Sequence, residues 1–124
     1  MSKKKADHYE LGKKGEEIAC DFLIEKGFQI LCRNYQFRKA EIDVIAQVND
    51  ILVVVEVKTR TSDYFGNPQD FINKKKISLL LGAINNYVER NDISLEIRFD
   101  VIAIIYRNNN YSIEHIEDAF LFFQ

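Results

Sequence analysis

The sequence predicts an α/β fold, a mixed β-sheet flanked by helices, and three observations lead there. Apolar residues recur at helical spacing in two stretches, residues 8–26 and from Gln69 or Asn73 to Arg90. Residues 41–48 (EIDVIAQV) and 51–57 (ILVVVEV) read as strands, and only Asn49 and Asp50 separate them, a polar pair of the kind that closes a hairpin. Residues 51–55 are apolar without a break, which marks a strand covered on both faces.

In chain order, the first helix carries a stripe of Leu11, Gly15, Ile18, Ala19, Phe22 and Leu23, and Gly27 supplies its stop. Glu17 points to solvent on this wheel, whereas Glu16 lies at the border of the stripe, where a carboxylate reaches over the edge of a sheet or stays on the surface. Residues 28–35 (FQILCRNY) form a strand, followed by the hairpin. A polar loop from Arg60 to Pro68 comes next; loops after a charged strand end often carry function. The second helix buries Ile77, Leu80, Ala83, Ile84, Tyr87 and Val88. Residues 95–106 are a strand, 108–110 a turn and 111–116 a short last strand. Strands and helices in this order pack as a mixed sheet with helices against it.

The chain has 124 residues and 47% hydrophobic content, enough for one domain with a core. No apolar run reaches the roughly 18 residues that a membrane span needs. The basic start, Met-Ser-Lys-Lys-Lys, lacks the apolar stretch of a secretory signal and reads as a flexible arm over 1–8. Cys20 and Cys32 lack metal-type spacing, and free thiols in a cytoplasmic protein are the expectation. A net charge of −2 argues against a protein that coats nucleic acid indiscriminately, yet leaves room for a local basic surface.

If the hairpin turns at Asn49-Asp50, Asp43 stands opposite Glu56 and Glu41 opposite Lys58. Strict alternation puts all four charges on one face and Ile42, Val44 and Ala46 on the other, with Val53, Val55 and Val57. Facing carboxylates repel, and a divalent cation between them converts that cost into a binding site. The plainer alternative is a solvated face with an ordinary Glu41–Lys58 ion pair. Lys74, Lys75 and Lys76 near the start of the second helix oppose its dipole, which fits an anion site. Lys76 falls on the inward side and either snorkels without a partner or presents its ammonium in a cleft.

The series Gly-Glu-Glu-Ile-Ala (15–19), Asn34-Tyr35, Glu41-Ile42-Asp43, Val55-Glu56-Val57-Lys58, Phe65-Gly66, Arg98-Phe99-Asp100-Val101 and Asp118-Ala119-Phe120 resembles the YraN family, small bacterial proteins described as predicted endonucleases. Ala40 departs from the family's usual glycine before Glu-Ile-Asp. The family in turn is similar to the restriction-endonuclease-like superfamily, which implies an αβββαβ core. The resemblance implies Asp43 and Glu56 as ligands of Mg²⁺ (or Mn²⁺), the Val57 carbonyl as a third and Lys58 as the catalytic lysine. It matches Glu16 to a first-helix glutamate of Holliday-junction resolvases and Lys76 to a lysine at the helix start. The superfamily's proline before the aspartate is replaced by Ile42.

With that site, the expected activity is phosphodiester hydrolysis in structured DNA, with structured RNA as a second substrate class. Glu41 either tunes Lys58 or holds a second metal. Arg38, Lys39 and Arg60, with Lys76, are candidates for phosphate contacts, which position nucleic acid without reading sequence. One site cuts one strand, and cutting two requires a homodimer of two-fold symmetry. The apolar end 120–123 suits core capping or such an interface. The alternative function is a nucleic-acid-binding module without turnover.

Overall fold

The computed structural model describes residues 3–61 and 73–119, with side chains from residue 10. Helix α1 spans Lys3–Glu25. It begins ahead of residue 8, because Lys3–Ala6 are good helix formers that extend the stripe by a polar turn. It ends at Gly27, whose φ of 94° suits only a residue without Cβ. There the Phe28 N–H donates to Leu23 at 2.9 Å and the Gly27 N–H to Ile24 at 3.0 Å, which satisfies the last carbonyls.

Strands β1 (Gln29–Phe37), β2 (Ala40–Val48) and β3 (Ile51–Arg60) form an antiparallel meander. Helix α2 (Lys74–Arg90) carries the chain across to β4 (Glu96–Arg107), which pairs parallel with β3, and β5 (Asn110–Ile116) returns antiparallel. The sheet order is β1-β2-β3-β4-β5. Val48 pairs with Ile51 and Val44 with Val55, the register the Asn49-Asp50 turn predicts, with Asn49 at a φ of 52°. The α/β class and its mixed, five-stranded sheet are thus as read from the sequence.

The helices cover opposite faces. Ile77, Leu80, Ala83, Ile84 and Tyr87 of α2 pack with Ile42, Ile45, Leu52 and Val54. Ala19 and Leu23 of α1 pack with Val44, Ala46, Val53, Val55, Ile102 and Ile104. This explains the unbroken apolar run in β3: even positions serve α2 and odd positions serve α1. Burying a branched side chain removes about 1.5–3 kcal/mol of unfavourable hydration, so the central strands anchor both layers. Phe65-Gly66 and the apolar end 120–123 lie outside the described residues.

The hairpin departs from strict alternation at one point. Ile42 packs under α2 and Val44 under α1, although both are even positions of one strand. Alternation therefore slips between them, at Asp43. The β2–β3 ladder stops at Val44–Val55, and β1 has a positive φ of 54° at Asn34, which the β1–β2 register sets beside Asp43. A slip of this kind re-aims a side chain, here a carboxylate.

Candidate functional site

Past Val44, β2 and β3 separate, and Asp43 occupies the gap. Its Oδ2 accepts the Val57 N–H at 2.8 Å, replacing a lost ladder bond. In an extended strand a residue's N–H and C=O leave by the same edge, so the Val57 carbonyl faces the gap too. Asp43, Glu16 and Val57 line a hollow of about 510 Å³ beneath α1, together with Leu11, Gly12 and Lys58 to Thr61.

Three carboxylates converge here. Oxygens of Glu16, Glu41 and Asp43 lie within 4.8 Å of one another. Glu16 reaches over the sheet from α1 because Gly15 lets the helix press onto β3: a Cβ at Gly15 would stand 2.0 Å from Thr59 Oγ1. Arg33 approaches Glu16 at 3.9 Å. With its amide nitrogen turned toward the carboxylates, Asn34 donates to both Glu16 oxygens at 3.2 Å and to Glu41 at 3.1 Å. Gln36 donates to Glu41 as well, at 3.3 Å, and one arginine with two neutral amides leaves this side of the gap with excess negative charge.

Glu56 looks the other way. It is 5% exposed and shares its surroundings with Val54, Ile77 and Leu80 beneath α2. Lys76 of α2 donates to its Oε1, and Lys58 lies 3.5 Å from the same oxygen. The expectation that Asp43, Glu56, Glu41 and Lys58 share one face is corrected here. The slip at Asp43 turns it and Glu41 toward α1, while Glu56 keeps the regular alternation toward α2. Asp43 nevertheless still feels the charge of Glu56.

The electrostatics follow from this arrangement. Burial pushes the Asp43 carboxyl up and the charge of Glu56 adds to it; the Val57 N–H and Lys76 pull the other way, and the result is about 7 against an ordinary 3.8. Burial also raises Glu16, with Arg33 and Asn34 opposing. Burial lowers the Lys58 ammonium, an effect that Glu56 opposes and that Lys76 and Arg60 reinforce.

The remaining residues singled out from the sequence scatter around this centre. Lys76 has a partner, Glu56, and its backbone N–H is capped by Asn73 Oδ1 at 2.8 Å. Arg60 closes β3 and bonds the Thr59 carbonyl at 2.9 Å. Arg38 and Lys39 form the tip between β1 and β2, with Arg38 over the Phe37 ring at 5.1 Å. Lys39 borders a separate hollow with Glu41, Asn73, Lys75 and Lys76. Both cysteines are free, as expected.

A family model described as uncharacterised protein family UPF0102 matches residues 15–104, which span Glu16, Asp43, Glu56, Lys58 and Lys76. The chain belongs to the UPF0102 (YraN) family. UPF0102 relatives include one from Flavobacterium psychrophilum, 55% identical over 95% of this chain and 99% of its own. A UPF0102 protein of Christiangramia forsetii is 51% identical over the same shares, and one of Flavobacterium johnsoniae is 47% identical, again over 95% and 99%.

Three features escaped the sequence reading. Asn34 gave no signal beyond its place in a motif, because its role depends on a positive φ inside a strand. Gly15 read as one more member of the apolar stripe. Asp100 read as the polar start of a strand, yet it is 1% exposed and accepts from Arg98 Nε and Nη2 at 2.9 Å, His115 Nε2 at 2.8 Å and the Asp118 N–H at 3.0 Å. Burial alone would raise its pKa, but these donors outweigh it and hold the carboxyl below the ordinary range. Asp100 thereby ties β4, β5 and the turn at Asp118 together. Among the described residues no helix is long and apolar enough to cross a membrane.

Proposed function

We propose that this UPF0102 protein is a metal-dependent phosphodiester hydrolase, an endonuclease acting on structured DNA. The observation that carries the reading is the uncompensated negative charge at Asp43. Three carboxylates converge there, and among the described residues Arg33 is the one cation paired with them, the other donors being the neutral Asn34, Gln36 and Val57 N–H groups, while the lysines pair with Glu56. A protein that leaves such charge half-buried gains stability from a cation. The donors are all hard oxygens, which suit Mg²⁺ or Mn²⁺. Asp43 and the Val57 carbonyl would hold the ion with Glu16 and Glu41 beside them, while Glu56, on the α2 side, keeps Lys58 and Lys76 in place. A divalent ion bound there supplies Lewis-acid polarisation of a phosphate oxygen and a bound water of lowered pKa.

The chain's own residues supply the rest. Lys58, one residue past Val57 on β3, borders the hollow and offers a positive charge to the phosphate as negative charge develops. Lys76 holds Glu56 in place and shares its charge with Lys58. Arg60 at the rim contacts the neighbouring backbone, with Arg38 and Lys39 as outlying phosphate contacts.

One observation favours a second reading. Glu56 is already paired with two lysines, which suits a module that binds nucleic acid without turnover. Cleavage assays on branched, nicked and flapped DNA, with Mg²⁺ or Mn²⁺, separate the two. The hydrolase reading expects products that vanish in Asp43→Asn and Glu56→Gln proteins of unchanged fold. Salt-sensitive binding without products on every substrate would leave the binding module.

A further inference from the structure

The hollow that contains Asp43 and Glu16 continues along α1. Leu11 and Thr61 line it and also line a second hollow of about 870 Å³, completed by Lys14, Tyr106, Arg107, Asn108 and Asn109. The second hollow is chemically unlike the first: two cations, a phenol, two amides and a hydroxyl, with no carboxylate. Lys14 Nζ stands 5.8 Å over the Tyr106 ring, and that ring meets Tyr111 at 5.8 Å, tilted. Tyr111 is 51% exposed, an aromatic face held in place on one side and open on the other. The Tyr106 hydroxyl is buried and has no hydrogen-bond partner among the described residues. Asn108 and Asn109, at φ of 47° and 67°, make the tight β4–β5 turn that sets Tyr106 opposite Tyr111.

We infer that this second hollow binds a single-stranded nucleic-acid tail leaving the acidic gap. Duplex recognition needs cations for phosphates and has no use for an open ring. A single strand uses both, because its unstacked bases lie on aromatic faces while lysine and arginine follow the backbone. The amides of Asn108 and Asn109 offer donors and acceptors to exposed base edges. The spacing suits a strand. Val57, which lines the acidic hollow, pairs with Ile102, and Tyr106 stands further along β4 by four residues, roughly 13 Å at about 3.3 Å each. A stacked strand advances about 3.4 Å per nucleotide, so the rings meet the tail roughly four nucleotides from the gap. The orientation of the tail rests on the hydrolase reading; the binding of a single strand does not. Apart from Thr61, the lining residues lie outside the matched stretch 15–104.

The test is fluorescence anisotropy with the full chain in EDTA, so that no hydrolysis intervenes. Probes are a blunt duplex and the same duplex with an oligo(dT) or oligo(rU) tail of about ten nucleotides, enough to span the two hollows. The tail is expected to tighten binding about tenfold, as one or two stacked bases would. Lys14→Ala/Tyr111→Ala, at exposed positions, should abolish that gain, whereas Arg90→Ala, which removes one charge from the far end of α2, should keep it. A preference for the oligo(rU) tail supports the inference and assigns the strand as RNA. Equal affinity for tailed and blunt duplexes, or a gain that survives the double substitution, overturns it. Tail-dependent binding without cleavage in Mn²⁺ would remove the hydrolase reading alone, and cleavage without tail preference would remove this inference alone.

Discussion

Replacing Asp43 by asparagine should stabilise the metal-free protein at pH 8 while destroying its site. The Asp43 carboxyl stands at about 7 in the folded chain against 3.8 ordinarily. Its folded pKa is raised, so the native state binds the extra proton between those values, and stability falls as pH rises from about 4 to about 7. Above 7 the full cost of the ionised group is present. At about 1.4 kcal/mol per pH unit, the rise amounts to about 4 kcal/mol. Asparagine keeps an oxygen for the Val57 N–H and carries no charge, so it escapes that cost. Urea unfolding in EDTA measures the effect. The variant should gain about 2–4 kcal/mol over the parent at pH 8, and the two curves should converge by pH 4. Glu16 shifts in the same direction and Asp100 in the opposite one, so the difference between the two proteins, not either curve alone, reads Asp43. A variant less stable than the parent at pH 8, or a pH-independent difference, would refute the reasoning.

Further outcomes follow from the same geometry. Gly15→Ala should cost about 1–3 kcal/mol, since its Cβ meets Thr59 Oγ1 at 2.0 Å, and Thr59→Ala in the same chain should recover most of that in thermal unfolding. Lys76→Ala leaves buried Glu56 with Lys58 alone; because the Lys76 side chain is about one-third exposed, the expected loss is about 1–3 kcal/mol rather than the larger figure for a fully buried pair. His115→Ala strips one of four donors from Asp100 and should cost about 1–3 kcal/mol by urea unfolding, with Mn²⁺ affinity unchanged. Calorimetry should show Mn²⁺ binding to the parent weakening as pH falls below 7, because the Asp43 proton competes with the ion.

Periodicity carried most of the fold. The stripe of α2 names its buried residues almost one for one, and the Asn49-Asp50 break sets the β2–β3 register, because both signals are local. The site was legible in its membership more than in its geometry. Asp43 and Glu56 lie on neighbouring strands as the hairpin requires, but Asp43 turns toward α1 and Glu56 toward α2. Which way each points depends on a slip that involves Asn34 of β1 and the approach of α1 at Gly15, neither visible in a two-strand pattern. The partner of Lys76 was likewise a long-range matter: nothing near residue 76 says that a glutamate twenty positions earlier faces it. Asp100 and His115 lie fifteen apart on separate strands, and only the β4–β5 register joins them.

A crystal grown with Mn²⁺ tests the central claim most directly, since the ion's anomalous signal locates it without assumptions about substrate. The account predicts a peak in the gap between β2 and β3, about 2.0–2.3 Å from an Asp43 oxygen and within reach of the Val57 carbonyl. No peak at Asp43 under saturating Mn²⁺, with Glu56 still held by Lys76 and Lys58, would contradict it.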